Sequence, residues 1–303
     1  CKNRTFEVFV RKTVVDEIED VYSEILLESA LTYDKGAQVG GTVDIKLDTM
    51  QFGRIVAQTA KHVIRQGIRD AERDRTRSEF QNKNQELVSA KILRVDPENG
   101  NAVVEIAGNE AILPHTEQVP GEELTEGETI RVFIVDVIES EKGPRVKISR
   151  THSGFVRRLF EQEVPEIFDG TIEIKGITRE AGSRTKMAVY SKDPNVDAIG
   201  ACIGQRGTRI GTILEELGNE KVDIVKYSDD PEEFIREALS PAKVLTVEIV
   251  DGGEASGKKS CRVTVPDSQL SLAIGNKGQN ARLAARLTGW KIDIRPESGF
   301  YGE

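Results

Sequence analysis

The sequence predicts an α+β protein with several domains: a partial N-terminal α/β domain with a long helix, a small β-barrel, and two copies of one helix–sheet module. Three observations lead to this fold class. An Ile-Gly-x-x-Gly segment occurs twice in matching surroundings, at Ile203–Gly207 and at Ile274–Gly278. Several short strand-like segments precede the repeat, and a long stretch of helical pattern precedes those. A chain of 303 residues has room for roughly two to four domains.

Residues 1–82 are predicted to form part of one domain. Phe6–Val10 and Gly41–Leu47 alternate apolar and polar residues, as half-buried strands do. A long helix is predicted from Gly53 to about Asn82. Its highly charged second half is typical of a solvated helix with i,i+4 ion pairs, although a partner-binding face would carry the same charges. Its apolar stripe consists of Ile55, Val56, Thr59, Val63, Ile64 and Ile68.

Residues 83–150 are predicted to form a small OB-type barrel. The segment has short strands without helical periodicity, and it has a strong turn signal at Asn99-Gly100. OB barrels bind single strands by stacking bases on aromatic rings within a basic groove. Phe133 and His115 are the ring-bearing candidates here, so the barrel is either an RNA-binding element or a spacer. The predicted strands are Leu87–Val95, Ala102–Ile106, Ala111–Leu113, Ile130–Ile138 and Arg145–Ser149.

Residues 151–229 and 230–303 form an internal repeat with the element order α-β-β-α-α-β. Each copy opens with a helix, at Phe155–Gln162 and Glu232–Leu239, which a proline follows. Two strands come next, then a helix, the Gly-x-x-Gly loop and another helix, and each copy closes on a strand. This order indicates two tandem KH domains of the prokaryotic type, type II. The predicted strands are Thr171–Ile174, Met187–Tyr190 and Val222–Ile224 in the first copy, and Thr246–Ile249, Arg262–Val265 and Ile292–Ile294 in the second.

The Gly-x-x-Gly loop of a KH domain clamps the backbone of about four unpaired nucleotides. Glycines have no Cβ that would keep phosphates away, and a cation in the second variable position neutralises phosphate charge. Arginines on the next helix continue the positive rim, and the isoleucine before each loop lines the groove. The predicted RNA-binding residues are Ile203, Gly204, Gln205, Arg206, Gly207 and Arg209 in the first copy, and Ile274, Gly275, Asn276, Lys277, Gly278, Gln279, Asn280, Arg282 and Arg286 in the second.

The net charge of −9 does not exclude a nucleic-acid ligand, because binding depends on the local potential within about a Debye length. Between Leu272 and Lys291 the sequence has four cations and no acid. The acidic excess lies elsewhere, for example in Glu122–Glu128. We therefore expect the second copy to be the more electropositive half of one continuous track for a single strand.

Two further glycine-rich stretches do not match the nucleotide-binding motifs that they resemble. Gly252–Lys259 nearly matches a P-loop but lacks Ser or Thr directly after its lysine, and we interpret it as a hairpin turn. Gly200, Gly204 and Gly207 do not have the dinucleotide spacing.

No catalytic set, metal cluster or cofactor motif is recognisable, so we expect a non-enzyme without cofactor or metal. The scattered histidines His62, His115 and His152 are typical of surface residues. The three cysteines are not spaced for metal and favour a reduced, cytoplasmic setting, and no segment has the roughly 20 apolar residues of a membrane helix.

The sequence resembles the NusA family of bacterial transcription termination/antitermination factors over nearly its whole length, most specifically over residues 163–295. The domain order fits as well: an N-terminal domain, an S1-type OB barrel and two KH domains. The resemblance rests on the stretches Glu163–Ile167, Gly182–Val189, Ile199–Gly207, Asp229–Ala242 and Ala273–Ala284.

The resemblance implies that residues 1–82 are the RNA-polymerase-facing part, without the family's first helices, and that the other domains follow the emerging transcript. It also implies other Nus antitermination factors as partners. We expect a monomeric RNA-binding elongation factor that acts in pausing, termination and antitermination on single-stranded nascent RNA. The alternative is a KH-domain adaptor that binds ribosomal RNA in ribosome assembly.

Overall fold

The computed structural model describes residues 8–47, 54–138, 145–250 and 259–299. The chain divides into two compact units, Cys1–Glu72 and Arg73–Glu303. The second unit contains the barrel and both helix–sheet modules, whose contacts with one another are described below.

The first unit is a three-stranded sheet with one short helix. Strand β1 is Val8–Val15, β2 is Glu24–Leu26, helix α1 is Leu27–Tyr33 and β3 is Thr42–Leu47. The central strand β1 runs parallel to β2 and antiparallel to β3. The small core consists of Val14, Ile25, Ala30 and Val43.

Helix α2, Arg54–Gln81, confirms the predicted long helix. Val63, Ile64 and Ile68 of its apolar stripe are 62%, 60% and 53% exposed, and the side chains of Ile55 and Val56 lie outside the described residues. Near the end of the helix, Phe80 is buried in the core of the barrel. The last turn of α2 is therefore part of the second unit.

The barrel segment folds into a five-stranded antiparallel sheet in the order β6-β5-β4-β7-β8, so the OB-like prediction is confirmed. Alternate residues of each strand face one core, for example Ala102, Val104 and Ile106 of β5. The strands are β4 Leu87–Val95, β5 Ala102–Ile106, β6 Asn109–Leu113, β7 Thr129–Ile138 and β8 Arg145–Ser149.

The first helix–sheet module packs its helices on one face of a three-stranded sheet in the order β11-β10-β9. Strand β10 is antiparallel to β9 and parallel to β11. Pro165, predicted to follow the first helix, begins an extra one-turn helix. The elements are α3 Ser153–Glu163, α4 Pro165–Phe168, β9 Ile172–Glu180, β10 Arg184–Ser191, α5 Ala198–Ile203, α6 Thr208–Leu217 and β11 Lys221–Lys226.

The second module repeats this arrangement, with the sheet order β12-β13-β14. Strands β12 and β13 pair antiparallel, as a hairpin does, but most of the predicted turn at Gly252–Lys259 lies outside the described residues. The elements are α7 Pro231–Ala238, β12 Thr246–Val250, β13 Ser260–Val265, α8 Leu270–Ile274, α9 Gln279–Thr288 and β14 Lys291–Pro296.

Candidate nucleic-acid interface

The two Gly-x-x-Gly loops have the same backbone conformation. In the first loop Gly204 has φ 75° and ψ 171°, Arg206 has φ 54°, and Gly207 has φ 75°. Left-handed backbone is costly for most residues and nearly free for glycine. The loop therefore needs both glycines, and it holds its cation in an unusual left-handed conformation. The second loop has Gly275 at φ 77°, Lys277 at φ 50° and Gly278 at φ 75°.

Each first glycine is also required by a close contact with the following helix. A Cβ on Gly204 would lie 2.8 Å from Cγ of Arg209, and a Cβ on Gly275 would lie 2.7 Å from the backbone nitrogen of Asn280. The residue five positions after the first glycine thus packs over it in both modules. This packing fixes the bend at which each loop turns into its helix.

Arg209 and Asn280, both predicted to contact RNA, also hold their own modules together. The Arg209 guanidinium lies 2.9 Å from Glu166 Oε2 and donates to the Ala201 carbonyl at 2.7 Å. Asn280 is buried, and its Nδ2 donates to the carbonyls of Leu239 and Ala273. Asn280 therefore holds the second loop in place as a buried residue, and its side chain is not on the protein surface.

Gln279 and Arg282 reach across to the first module. Gln279 Nε2 donates to Glu180 Oε2 at 2.9 Å and to Ser183 Oγ at 2.7 Å. The guanidinium of Arg282 lies 3.1 Å from Glu180 Oε1, and its Nη1 donates to the Lys277 carbonyl. Hydrogen bonds from Gln279, and then from Arg282, hold the pKa of Glu180 below its usual range. Two of the predicted RNA-binding residues therefore take part in the contact between the modules.

The variable positions of both loops remain open to solvent. Gln205, Arg206, Asn276 and Lys277 are exposed, and so is Arg286 on α9. Within the described part of the chain, no ion pair engages Arg206, Lys277 or Arg286. Ile203 is 39% exposed beside the first loop, and Ile274 is half-buried beside the second. The arrangement presents cations and accessible backbone next to apolar side chains, which suits an unpaired, phosphate-linked strand.

Comparison with known proteins supports the interpretation of the modules. The family description "NusA-like first KH domain" matches residues 150–227, "NusA-like second KH domain" matches residues 231–301, and "NusA N-terminal domain" matches residues 1–74.

Relatives that carry the name transcription termination/antitermination protein NusA include those of three bacteria. The protein of Halalkalibacterium halodurans is 46% identical over 98% of this chain and 76% of its own length. The proteins of Bacillus subtilis and Thermus thermophilus are 48% and 44% identical, over 97% and 93% of this chain and over 77% and 71% of their own lengths. The chain belongs to the NusA family.

In this NusA-family chain the second loop adjoins the β9–β10 turn of the first KH domain. The Lys221 backbone nitrogen donates to the Ser183 carbonyl, so the start of β11 lies at the same turn that Gln279 contacts. The first loop lies at the other end of α6, whose ten residues span about 15 Å. The two loops therefore lie at opposite ends of the α6 region of the first KH domain.

A buried ion pair reinforces this contact between the KH domains. Lys186 is fully buried, its Nζ lies 2.9 Å from Asp223 Oδ2, and it donates to the Ser240 carbonyl of the second domain. Burial lowers the pKa of Lys186. Burial alone would raise the pKa of Asp223, but hydrogen bonds from Arg184 and Lys186 outweigh it and the pKa falls. Thr178 Oγ1 adds a bond to the Leu283 carbonyl.

Phe133, one of the two barrel rings expected as a stacking platform, is not available to a base. It is 1% exposed, its ring stacks on His152 at 5.1 Å, and it belongs to the core of the first KH domain. A Cβ on Gly154 would lie 2.4 Å from the ring. Phe133 therefore joins the barrel to α3, which leaves His115 as the exposed ring of the barrel's described residues.

Other kinds of site receive no support from the part of the chain that the structure describes. It contains no group of three or more His, Cys, Asp or Glu side chains that could hold a metal ion. Burial raises the pKa of Cys202 to about 12 and that of Cys261 to about 11, so neither thiol is activated. Among the described helices, none has both the length and the apolarity to cross a membrane.

Proposed function

We propose that this chain is a non-enzymatic transcription elongation factor that acts in pausing, termination and antitermination and binds single-stranded nascent RNA. The observation that carries the proposal is the pair of Gly-x-x-Gly loops. They have one backbone conformation, each has an exposed cation, and Glu180 and Ser183 join the second loop's helix to the first KH domain. The names of the relatives agree with this function.

In the proposed complex one strand of RNA passes both loops. Arg206 and Lys277 neutralise successive stretches of backbone, and each loop accommodates about four nucleotides. The isoleucine beside each loop contacts bases, while Gln279, Asn280 and Arg209 keep the loops in position. The short span of α6 between the loops supports a single continuous track rather than two independent sites.

RNA polymerase is the proposed partner of residues 1–82. The match to the NusA N-terminal domain supports this assignment, and the described residues of this unit expose large apolar side chains. Such side chains are typical of surfaces that bind other proteins. Tyr22, Val21, Tyr33 and Phe9 are 88%, 69%, 59% and 51% exposed. Other Nus antitermination factors would join the same complex, and we propose a cytoplasmic monomer.

Two measurements test the proposal. In the first, a fluorescent, unstructured RNA is titrated with the chain at several salt concentrations, and we expect affinity that falls steeply with salt. In the second, the tagged chain is recovered from cell extract and its partners are identified. Recovery of RNA polymerase supports a transcription factor. Recovery of ribosomal particles without polymerase would replace the proposal with the ribosomal-RNA adaptor.

A further inference from the structure

We propose that one end of the sheet of the second KH domain is a docking site for a partner protein, and that the partner binds there through the acidic first turn of a helix. The described residues of this end, which we call the lysine corner, are Val250, Lys259, Trp290 and Lys291. The lysine corner is the counterpart of the place where the first KH domain holds the second. The inference concerns a protein ligand and does not depend on RNA binding.

The lysine corner has the same backbone construction as the β9–β10 turn of the first KH domain. In the first domain the Lys221 nitrogen donates to the Ser183 carbonyl at 3.0 Å. In the second domain the Lys291 nitrogen donates to the Lys259 carbonyl at 2.9 Å. Each bond continues a pair of parallel strands, β10 with β11 and β13 with β14. Lys259 therefore has the position of Ser183, and Lys291 has the position of Lys221.

Val250 has the position of Glu180. Glu180 pairs with the first residue of β10, and Val250 pairs with the first residue of β13. In the first domain this position holds the first turn of α9, because Gln279 and Arg282 both bind Glu180. Val250 is 39% exposed and offers an apolar surface without charge. The two domains therefore use equivalent places of different chemistry, and the first one already binds the start of a helix.

The charge of the lysine corner selects an acidic ligand. The side chains of Lys259 and Lys291 are both exposed. Carboxylates in the first turn of a helix are stabilised by the helix dipole, so an acidic helix start can pair with both lysines and remain a stable helix. The acids of β12 and β14 are already paired within the sheet, Glu248 with Arg262 and Asp293 with Arg295.

Trp290 supplies an aromatic side chain for the same contact. It is half-buried between the end of α9 and the start of β14, and its backbone nitrogen donates to Thr288 Oγ1 at 3.3 Å. The ammonium of Lys259 lies 5.6 Å from the centre of its ring. Because β13 is the central strand, Lys259 lies between Val250 and Trp290. Tryptophan is enriched among the residues that contribute most to protein interfaces, and here it borders a cation.

A second copy of this chain does not fit the lysine corner. Its α9 would bring Arg282 close to Lys259 and Lys291, and these like charges repel. In its own chain, moreover, Arg282 is already paired with Glu180. The fitting partner is a different protein whose helix has acids one turn apart, at the positions that Gln279 and Arg282 have in α9, with an apolar residue between them.

The test follows the fluorescence of Trp290, which is the single tryptophan of the chain and therefore needs no label. The probe is a synthetic helical peptide with serine at the N-cap, two glutamates one turn apart in the first turn and leucine between them. In the matched peptide glutamine replaces both glutamates. Both peptides are titrated into wild type and into the double variant Lys259→Gln/Lys291→Gln.

The control protein is Lys226→Gln/Lys243→Gln, which loses the same charge. Lys226 and Lys243 are exposed, and neither belongs to the lysine corner. Circular dichroism confirms that each variant is folded. An unstructured single-stranded RNA is titrated into the same three proteins, so that a response of Trp290 to RNA is distinguished from a response to the peptide.

We expect the glutamate peptide to change the emission of wild-type Trp290 in a saturable way. The glutamine peptide, and the double variant at Lys259 and Lys291, should show affinity about fivefold lower, because two exposed ion pairs are lost. The control protein should bind the glutamate peptide as wild type does. The docking site would be overturned by the absence of a saturable change, or by equal affinity for the two peptides. A change of emission caused by RNA and abolished in the Lys259→Gln/Lys291→Gln variant would assign the lysine corner to RNA and would also overturn the proposal.

Discussion

The carboxylate of Glu180 in the first KH domain pairs with the guanidinium of Arg282 in the second at 3.1 Å. Arg282 follows the second loop directly and also donates to the Lys277 carbonyl within it. The pair is partly solvent-exposed, at 47% for Arg282 and 28% for Glu180, so it contributes about 0–1 kcal/mol to stability. A phosphate could therefore take the place of Glu180 at low cost, and the carboxylate limits how strongly this end of the track attracts RNA.

Replacing Glu180 with glutamine should raise affinity for single-stranded RNA. The change removes one negative charge beside the loop and releases Arg282 for a phosphate. One additional phosphate contact steepens the dependence of log affinity on log salt by about 0.7 for a single strand. Fluorescence anisotropy titrations of Glu180→Gln and wild type at several salt concentrations measure both effects.

Glu173→Gln is the matched control for this prediction. Glu173 lies near the opposite end of β9 and pairs there with Lys175 and Lys192. The Glu173→Gln substitution removes the same charge far from the second loop, so we expect its affinity for single-stranded RNA to be close to that of wild type. Weaker binding by Glu180→Gln would mean that Glu180 positions the loop instead of competing with RNA for Arg282.

Replacing Gln205-Arg206 and Asn276-Lys277 with Asp-Asp pairs should reduce RNA affinity about a hundredfold at low salt, because each loop changes from attracting to repelling phosphates. The loss of two phosphate contacts should also flatten the salt dependence by about 1.4. The fold should survive, since these side chains are exposed and aspartate tolerates the left-handed conformation of Arg206 and Lys277 better than most residues. Titration against the same RNA measures the loss.

Charge reversal of Lys61 and Arg65 provides the comparison for the loop variant. Both residues are exposed on α2 in the first unit, outside the KH domains. Their replacement by aspartate makes the net charge more negative, as the loop variant does, and leaves both loops intact. If this variant lost as much affinity as the loop variant, RNA binding would depend on overall charge and not on the loops.

Local patterns predicted the fold well, because strands, helices and glycine loops depend on neighbouring residues. The repeat in the sequence was enough to predict two KH domains, and the Gly-x-x-Gly spacing predicted the shared loop geometry. Contacts between distant segments were beyond such patterns. The stretch from Leu272 to Lys291 has no acid of its own, but the fold brings Glu180 to Arg282 from the other domain. Phe133 lies in a continuous apolar run of β7, and only the packing of α3 explains its burial against His152.

Gly182→Ala should destabilise the unit that contains the barrel and both KH domains. Gly182 has φ +72°, and an added Cβ would lie 3.0 Å from the Pro120 carbonyl oxygen and from Val119 Cγ1. The left-handed backbone costs about 1–2 kcal/mol for alanine, and the crowding adds about 1–3 kcal/mol. Urea unfolding of the variant and of wild type measures the sum of these two losses of stability.

Gly108→Ala separates the two contributions to that loss. Gly108, in the β5–β6 turn, has a similar φ of +79°, but no atom lies within 4 Å of an added Cβ. It should therefore lose stability through the backbone alone. Equal losses of stability in Gly182→Ala and Gly108→Ala would show that the barrel and the β9–β10 turn move enough to accommodate the added methyl group.

The last prediction concerns the pH dependence of the contact between Lys186 and Asp223. Arg184 and Lys186 lower the pKa of Asp223 in the folded chain, so this group adds stability above its unfolded pKa of about 3.9. That stability is lost as pH falls through the lower, folded-state pKa. Asp223→Asn leaves Lys186 with an uncompensated buried charge and should cost about 3 kcal/mol near neutral pH.

The difference in stability between wild type and Asp223→Asn should become smaller at acidic pH, because a protonated aspartate resembles asparagine. Thermal unfolding midpoints of both proteins, measured from neutral pH to below the usual aspartate pKa, would show this convergence. Asp169→Asn is the control, since Asp169 also has a lowered pKa, from a hydrogen bond by Thr171, but is fully exposed. A gap for Asp223→Asn that stayed constant with pH would mean that the ion pair, although buried between the KH domains, adds no stability through its charge.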